Sequence, residues 1–393
     1  MKLIAKSYLK SLLMVIIKTF NVFWPKQKIV IFNSFPDLSD NALAYHQYLR
    51  ESQPDWNTVW FIQNFQYATQ IIKAEELSNI KLVKSGSLKA VYYFLCAKVQ
   101  VDTHGAGYWK FERTKLPLII SLWHGSPIKK IGKDIDKKSQ FKQDLLTSGA
   151  DYFNVFYRSG LASANCKIVT TGYPRNDWLT GKLTTQYDPS TINCPYIVWM
   201  PTYVISKGSS LGNVGNFNDG EIKTDCLSFL SQTDMVSMDA FLAKLGMKLV
   251  VKLHPFDILN EHDFNKMQLN NFLIIKADDP SMCGSRLYGM LKHSNALITD
   301  YSSVIFDYIC TNKPIGIDMN ACARYTRAKY FEYDLSKMPA RSINSMAELM
   351  DFCSYASQVV TKPDNSKSSA YLTQQPDSFS SAVFNTQMSF LND

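Results

Sequence analysis

Short apolar runs recur along the chain, and a polar side chain follows each of them. The runs do not alternate with polar positions, which is typical of strands buried on both faces of a parallel sheet. We therefore predict strands at Ile29–Asn33 before Ser34, Val99–Asp102 before His104, Leu116–Trp123 before His124, Tyr196–Met200 before Thr202, Lys248–Leu253 before His254, and Ala296–Ile298 before Thr299 and Asp300.

Segments with helical spacing separate these runs, for example Leu287–Ser294 and Val304–Cys310. Alternating strands and helices predict βαβ units, and therefore an α/β fold with parallel sheets. Because ligands bind outside the carboxyl ends of such strands, we expect the polar residues at the ends of the runs to face a common cleft.

The length of 393 residues suits two domains better than one. A cluster of Thr, Ser, Asp and Pro residues near 180–195 predicts the boundary between them. We predict a basic amphipathic segment at residues 1–28, Rossmann-type lobes at 29–185 and 186–355, and a polar tail at 356–393 that either returns to the first lobe or is disordered.

Positive charge is concentrated at the N-terminus. Residues 1–30 hold six lysines and no acidic residue, whereas the whole chain has a net charge of only +8. The nearly neutral remainder argues against nucleic-acid binding. The apolar run between Lys10 and Lys18 is far shorter than the roughly 20 residues that span a bilayer. The segment is either a helix on an anionic membrane surface or a first helix packed on the core.

Several classes of chemistry lack their sequence signals. The eight cysteines form no CxxC pair and no cluster with histidine, so we expect no zinc site, no disulfide framework and a reducing cytoplasm. We interpret Asp134 and Asp136, which lysines surround, as a solvated turn instead of a metal site. The chain has no Walker loop, no GxGxxG after a strand and no nucleophile elbow, which argues against nucleotide hydrolysis, dehydrogenation and acyl hydrolysis.

Four segments carry candidate chemistry. In SLWHGSPIKK (Ser121–Lys130), a strand-end histidine before glycine has the pKa range of a proton acceptor for a hydroxyl nucleophile. In ALITDYSSVIFDYICTNKP (Ala296–Pro314), two serines open a helix where backbone N–H groups bind phosphate, although capping alone explains one polar residue there. In LVVKLHP (Leu249–Pro255), His254 can donate to a pyrophosphate oxygen or serve a structural role. In GYPRND (Gly172–Asp177), Arg175 can contact phosphate or pair with Asp177.

Taken together, these segments resemble the CDP-glycerol glycerophosphotransferase family, which includes the teichoic acid primases and polymerases. The matching pieces occur in the family's order and are IFNSFPDLSDNALA (Ile31–Ala44), LWHGSPIKKIG (Leu122–Gly132), GYPRND (Gly172–Asp177), MPTY (Met200–Tyr203), KLHP (Lys252–Pro255) and ITDYSSVIFDY (Ile298–Tyr308). Val204 stands where the family usually has an arginine after the Pro-Thr-Tyr motif.

The resemblance implies a two-lobed GT-B-like fold, with an acceptor-side first lobe and a CDP-donor lobe after it. It implies a CDP-glycerol or CDP-ribitol donor, a lipid-linked or saccharide acceptor, no bound metal and no other cofactor. The implied site is His124 as general base with His254 and Asp300 as further catalytic residues; Thr202, Lys252, Thr299, Ser302, Ser303 and Arg175 at the donor phosphates; and Ser34, Asn41, Gly125 and Lys129 on the acceptor side.

The implied reaction is transfer of a polyol phosphate to a hydroxyl with release of CMP, in teichoic acid or capsular polysaccharide synthesis. The enzyme would act as a peripheral protein at the cytoplasmic face of the membrane. Two alternatives remain open from the sequence: a GT-B glycosyltransferase that uses a nucleotide sugar, and a catalytically silent nucleotide-binding or scaffold protein.

Overall fold

A computed structural model describes residues 25–105, 117–201, 227–253, 267–276, 279, 282–324, 328–335, 337–358, 370–373 and 377–392. Thr202, His254 and most of the basic N-terminal segment lie outside the described residues, so what we expect of them stays a prediction.

The first lobe is built on a seven-stranded parallel sheet. In sheet order β3-β2-β1-β4-β5-β6-β7, its strands are β1 (Gln27–Asn33), β2 (Asn57–Ile62), β3 (Leu82–Lys84), β4 (Ala97–Asp102), β5 (Leu118–Ser121), β6 (Leu145–Ser148) and β7 (Lys167–Thr170). Its helices are α1 (Asp40–Ser52), α2 (Phe65–Ala74), α3 (Leu88–Cys96), α4 (Asn154–Gly160) and α5 (Asn176–Thr180).

The second lobe repeats the same topology with six parallel strands. In order β10-β9-β8-β11-β12-β13, they are β8 (Tyr196–Met200), β9 (Lys248–Lys252), β10 (Phe272–Ile275), β11 (Ala296–Thr299), β12 (Ile315–Asp318) and β13 (Arg341–Ile343). The helices that follow are α6 (Gln232–Leu245), α7 (Gly284–His293), α8 (Val304–Tyr308), α9 (Met319–Arg324), α10 (Met346–Gln358) and α11 (Phe379–Asn392). The predicted α/β class with two parallel-sheet lobes is confirmed.

Each sheet reverses its strand order at one point, between β1 and β4 in the first lobe and between β8 and β11 in the second. The chain turns away from the sheet in opposite directions on the two sides of such a point, so a crevice opens beyond the carboxyl ends of the strands. Asp102 ends β4, and Thr299 ends β11. The topology thus brings the carboxyl ends of β1, β4, β8 and β11 to the crevices.

The C-terminal helix α11 packs against the first lobe, although it follows the second lobe in sequence. It contacts α1, α5 and β5. The buried carboxylate of Asp177 accepts hydrogen bonds from the backbone N–H groups of Phe379 and Ser380, at 2.8 Å each, and so caps the start of this helix. None of the helices in the described ranges is long and apolar enough to cross a membrane.

Candidate active site

A cavity of about 490 Å³ lies between the carboxyl edges of the two sheets. From the first lobe it is lined by the loop after β1 and by Trp123–Lys129, the loop after β5. From the second lobe it is lined by Met200 at the end of β8, by Pro201 after it, and by Ser302 and Ser303 before α8. Both crevices therefore open into one cavity.

His124 lines this cavity and is oriented by the end of the neighbouring strand. Its Nδ1 lies 3.1 Å from the carbonyl oxygen of Thr103. Because a carbonyl oxygen can only accept, Nδ1 carries the proton in this bond, and the lone pair of the neutral ring is then on Nε2. This is the tautomer that a general base at Nε2 requires.

The turn that supplies Thr103 is held by Asp102. Its carboxylate Oδ1 accepts from the backbone N–H of Gly105 at 2.8 Å and from the Ser121 hydroxyl at 3.2 Å. Oδ2 is buried without a hydrogen-bond partner among the described residues. Burial raises the pKa of this carboxyl to about 7, and the two hydrogen bonds offset part of that rise.

Gly125 brings the His124 loop into contact with the second lobe. Its φ is +135°, and a Cβ built there would lie 2.6 Å from Ser303 Oγ and 2.8 Å from Arg175 Nη2. Trp123, two residues earlier, also has a positive φ, of 50°. A side chain at position 125 would push the two lobes apart, so the tight loop and the close contact both require glycine.

Arg175, predicted at the donor phosphates, is buried, lines the cavity and joins three parts of the chain. Its Nη1 donates to Asp40 Oδ1 at 2.6 Å and to the His124 carbonyl at 3.0 Å, and its Nη2 donates to Asp307 Oδ2 at 2.6 Å. Nε donates to the other Asp307 oxygen. The predicted pairing with Asp177 is wrong, because Asp177 caps α11 and Arg175 finds tertiary carboxylates in both lobes.

Burial and the neighbouring charges shift the pKa values of Arg175 and Asp307 in opposite directions. Desolvation raises the pKa of Asp307 to about 6, although Arg175 favours its ionised form. The attraction of Asp307 and then of Asp40 outweighs desolvation at Arg175 and raises its pKa well above the usual range. The guanidinium is therefore charged, and four of its five N–H groups are engaged within the protein.

Of the other predicted donor residues, Ser302, Ser303 and Lys252 line the cavity. Lys252 is mostly buried, and its ammonium donates to the carbonyls of Leu253 and Lys276. Thr299 is fully buried, and its hydroxyl donates to the Met200 carbonyl at 2.9 Å, which joins the ends of β11 and β8.

Asp300 is buried, and its backbone oxygen accepts from the Tyr333 hydroxyl at 2.7 Å and from the Ser302 N–H at 2.8 Å. These bonds fix the loop that carries the two serines. The side chain of Asp300 is thus placed beside the loop, not among the residues that line the cavity.

The predicted acceptor-side residues fall into two groups. Gly125 and Lys129 line the cavity, whereas Ser34 and Asn41 are buried. The Asn41 side-chain amide donates to the carbonyls of Leu122 and Trp123, and its oxygen accepts from the backbone N–H of Arg175. The Ser34 hydroxyl donates to the Pro36 carbonyl. These two side chains hold the loops that shape the cavity.

The sequence pattern did not single out Asp40 and Asp307, which hold Arg175. Both lie inside segments quoted for the family resemblance, so the segments contained the signal, but nothing local in the sequence pairs them. Within the described ranges no group of three or more His, Cys, Asp or Glu residues is arranged to hold a metal ion. Asp134 accepts from the hydroxyls of Ser159 and Tyr330.

Known proteins resemble this chain over most of its length. A family model described as CDP-glycerol:poly(glycerophosphate) glycerophosphotransferase matches residues 16–373. The teichoic acid glycerol-phosphate transferase of Staphylococcus aureus is 26% identical over 361 residues, which cover 83% of each chain. The teichoic acid poly(glycerol phosphate) polymerase of Bacillus subtilis is 23% identical over 394 residues, which cover 92% of this chain and 47% of that protein.

Solved structures share the fold. A structure of the wall teichoic acid polymerase TagF has a TM-score of 0.66 at 17% identity, covering 94% of this chain and 90% of that chain. A putative UDP-N-acetylglucosamine 2-epimerase from Listeria monocytogenes has a TM-score of 0.53 at 11% identity, covering 93% and 96%. The two-lobed architecture is thus shared by proteins of different chemistry, and the residues of the cavity must distinguish them.

Proposed function

Since the chain belongs to the CDP-glycerol:poly(glycerophosphate) glycerophosphotransferase family, we propose that it transfers a polyol phosphate from a CDP-activated donor to a hydroxyl acceptor, with release of CMP, in teichoic acid synthesis. The family and the transferase class predicted from the motifs are confirmed. One observation carries the mechanism: His124 lines the cavity in the tautomer of a base, with Nδ1 bonded to the Thr103 carbonyl.

In this proposal the acceptor hydroxyl lies on the first-lobe side of the cavity, within reach of His124 Nε2. As its oxygen bonds to the β-phosphorus of the donor, its proton passes to Nε2. The bond between that phosphorus and the bridging oxygen breaks, and CMP leaves with the bridging oxygen. Such a transfer depends mainly on positioning and on stabilising spread negative charge, and a base contributes roughly 10²–10⁴-fold.

The donor phosphates lie on the second-lobe side in this proposal. The hydroxyls of Ser302 and Ser303 line the wall there, and the cationic side chains of Lys129 and Lys252 also line the cavity. Hydroxyl donors and fixed cations stabilise phosphate oxygens without a further ion. We therefore propose that no resident metal is needed, and we expect CMP release to persist in excess EDTA.

The relatives' names support glycerol phosphate as the transferred unit, and a relative named as a ribitol-phosphate primase, 23% identical over 319 residues, supports testing ribitol as well. We further propose that residues 1–28 bind the anionic cytoplasmic face of the membrane, where a lipid-linked acceptor would lie. Cosedimentation with phosphatidylglycerol vesicles, lost on deletion of residues 1–24, would support this.

The decisive experiment measures CMP release by the full chain from CDP-glycerol and from CDP-ribitol, with a membrane extract as acceptor. We expect turnover with one of the donors and a loss of at least about 100-fold in His124→Ala. His293→Ala is the matched control, because His293 ends α7 and does not line the cavity.

Three outcomes would contradict the proposal. An active His124→Ala variant would remove the assigned base. Release of UDP from a nucleotide sugar, with no CMP from either donor, would establish the glycosyltransferase alternative. Absence of turnover with every donor would favour a silent binding protein.

A further inference from the structure

A second histidine, His104, lies against the proposed base. Its ring is stacked on the His124 ring with centroids 4.4 Å apart and planes at 11°. Phe35 contacts His104 edge-on at 5.7 Å, and Trp123 lies 4.2 Å from His124. These four side chains form one aromatic cluster at the carboxyl edge of the first sheet, and within it the two histidine rings form a stack.

The geometry excludes a proton relay between the two histidines. The N–H bonds and nitrogen lone pairs of an imidazole lie in the plane of its ring, and nearly parallel stacked rings present their faces to each other. His104 therefore acts on His124 through its π face. Thr103 orients both rings, since its carbonyl accepts from His124 Nδ1 and its hydroxyl lies 2.8 Å from His104 Nδ1.

We propose that His104 is a positioning residue for the transfer: its stacked ring fixes the plane of His124 and stabilises the imidazolium that forms there. The proposal rests on the function assigned to His124. When the acceptor oxygen bonds to phosphorus and CMP departs, the hydroxyl proton resides on His124 Nε2. The new cation then lies against the face of an aromatic ring, an arrangement that is electrostatically favourable.

The protonation of His104 and the charged groups nearby are compatible with its stabilising an imidazolium at His124. Desolvation lowers the pKa of His104, and the adjacent His124 lowers it further, although the residue as a whole is exposed. A histidine whose pKa lies below its ordinary value of about 6.5 is mostly uncharged at pH 7. Among the described residues, other titratable or charged groups lie near the two rings. Asp102 holds the turn below them, and Arg175, paired with Asp40 and Asp307, donates to the His124 carbonyl. Lys129 lines the cavity wall.

The first test is independent of turnover. The chain has six histidines, so the ring C2–H resonances of the 13C-labelled full-length protein can be followed against pH, with His124→Gln identifying the His124 signal. In His104→Ala we expect the His124 titration midpoint to fall by about 0.5–1 pH unit, since the imidazolium loses its aromatic partner. In His104→Phe, which keeps a ring face and has no titratable group, we expect a midpoint within about 0.3 unit of wild type.

The second test uses CMP release. We expect kcat to fall about tenfold in His104→Ala, with KM changed less than twofold and the acid limb of kcat/KM moved to lower pH; His104→Phe should recover most of the loss. Unchanged resonances of His46 and His293 show that the fold is intact. A His124 midpoint that does not move in His104→Ala would overturn the proposal. If no donor releases CMP but the midpoint moves, the proposed reaction fails while the coupling between the two rings stands.

Discussion

At the scale of single residues, the cavity depends on positions where the backbone is locally unfavourable. Trp123 adopts φ 50°, a region that costs a bulky residue roughly 1–2 kcal/mol, and Gly125 adopts φ +135°. This bend takes the chain out of β5 and points it across the cleft. The strain is held by Asn41, whose amide binds the carbonyls of Leu122 and Trp123. The residue that carries the proposed base therefore follows a bend that a buried side chain holds in place.

We predict that Gly125→Ala lowers CMP release at least about tenfold and destabilises the protein by about 2–4 kcal/mol, because the new methyl group meets Ser303 and Arg175 in addition to the strained φ. Gly246→Ala is the matched control. Gly246 also has a positive φ, of 62°, but no atom lies within 4 Å of the built Cβ. We expect Gly246→Ala to lower the free energy of unfolding by about 1 kcal/mol and to retain full turnover. Equal turnover in the two variants would show that the contact between lobes at Gly125 is not needed.

At the scale of elements, the segment Gly172–Asp177 connects three parts of the molecule. Gly172 lies so close to the Phe379 ring that a Cβ there would be only 2.1 Å from it. Arg175 holds carboxylates from both lobes, and Asp177 caps α11. One short turn thus fixes the second lobe and the C-terminal helix to the first sheet, which gives the GYPRND motif a structural role beside any contact with phosphate.

We predict that Asp177→Ala destabilises the protein by about 2–4 kcal/mol and exposes α11 first, because two buried backbone N–H groups at 2.8 Å lose their acceptor. Hydrogen exchange of residues 379–392, together with urea unfolding, measures both effects. Asp188→Ala is the control, since Asp188 accepts from the Ser190 N–H in an exposed turn. That variant should cost no more than about 1 kcal/mol. Unchanged exchange in α11 after Asp177→Ala would contradict the capping role.

The apolar runs identify the strands around the reversal points of the two sheets, but they miss the interior strands β2, β6 and β12 as well as the edge strands β3, β7, β10 and β13. The runs at 29–33, 99–102, 196–200, 248–253 and 296–298 each overlap a strand, β1, β4, β8, β9 and β11. The edge strands β3 and β13 have three residues each, and in each only one of them is buried, so neither leaves an apolar run to detect. The run at 116–123 is longer than β5, because Leu122 and Trp123 already belong to the strained loop.

The site was predictable only as far as its chemistry is local in sequence. His124, Gly125, Ser302 and Ser303 follow strands directly, and the structure brings them to one cavity. Asp40 and Asp307 act on Arg175 from distances of 135 and 132 residues along the chain. A pairing of that kind depends on how the two lobes meet, and no periodicity in the sequence encodes it.

At the scale of the whole molecule, buried polar contacts tie the lobes together on both sides of the cavity. On one side Glu75, at the end of α2, accepts from the Ser285 hydroxyl and the Arg286 N–H at the start of α7. On another side the backbone N–H of Tyr330 donates to the Ile128 carbonyl, and Phe153 packs on Phe306 with ring centroids 4.8 Å apart. An apolar core that includes residues of both lobes continues through this contact. We therefore expect the two lobes to unfold in one cooperative transition.

The cluster of Arg175, Asp40 and Asp307 is the most sensitive of these contacts. In Arg175→Met, two carboxylates face each other without their cation, and Asp307, with 2% of its side chain exposed, cannot be hydrated. Removing one member of a buried ionic group costs roughly 3–5 kcal/mol. We predict that Arg175→Met loses about 3–5 kcal/mol of its free energy of unfolding at pH 8. The surface pair of Lys28 and Asp55, with side chains 53% and 82% exposed, provides the control, and Lys28→Met should cost less than about 0.5 kcal/mol.

The pH dependence separates charge from packing in the same variant. The pKa of Asp307 is already raised from 3.8 to about 6 in the folded protein, and loss of Arg175 removes a group that lowers it. A carboxyl whose pKa is raised by folding stabilises the protein below its unfolded pKa, and this stabilisation is lost as the pH rises through the folded pKa. In Arg175→Met this loss of stability must extend above pH 6. Urea unfolding should therefore show that the variant loses much less free energy of unfolding, relative to wild type, at pH 5 than at pH 8. If the variant lost the same free energy of unfolding at both pH values, Arg175 would stabilise the lobe interface by packing. Its charge would then not be needed to offset the buried carboxylates of Asp40 and Asp307.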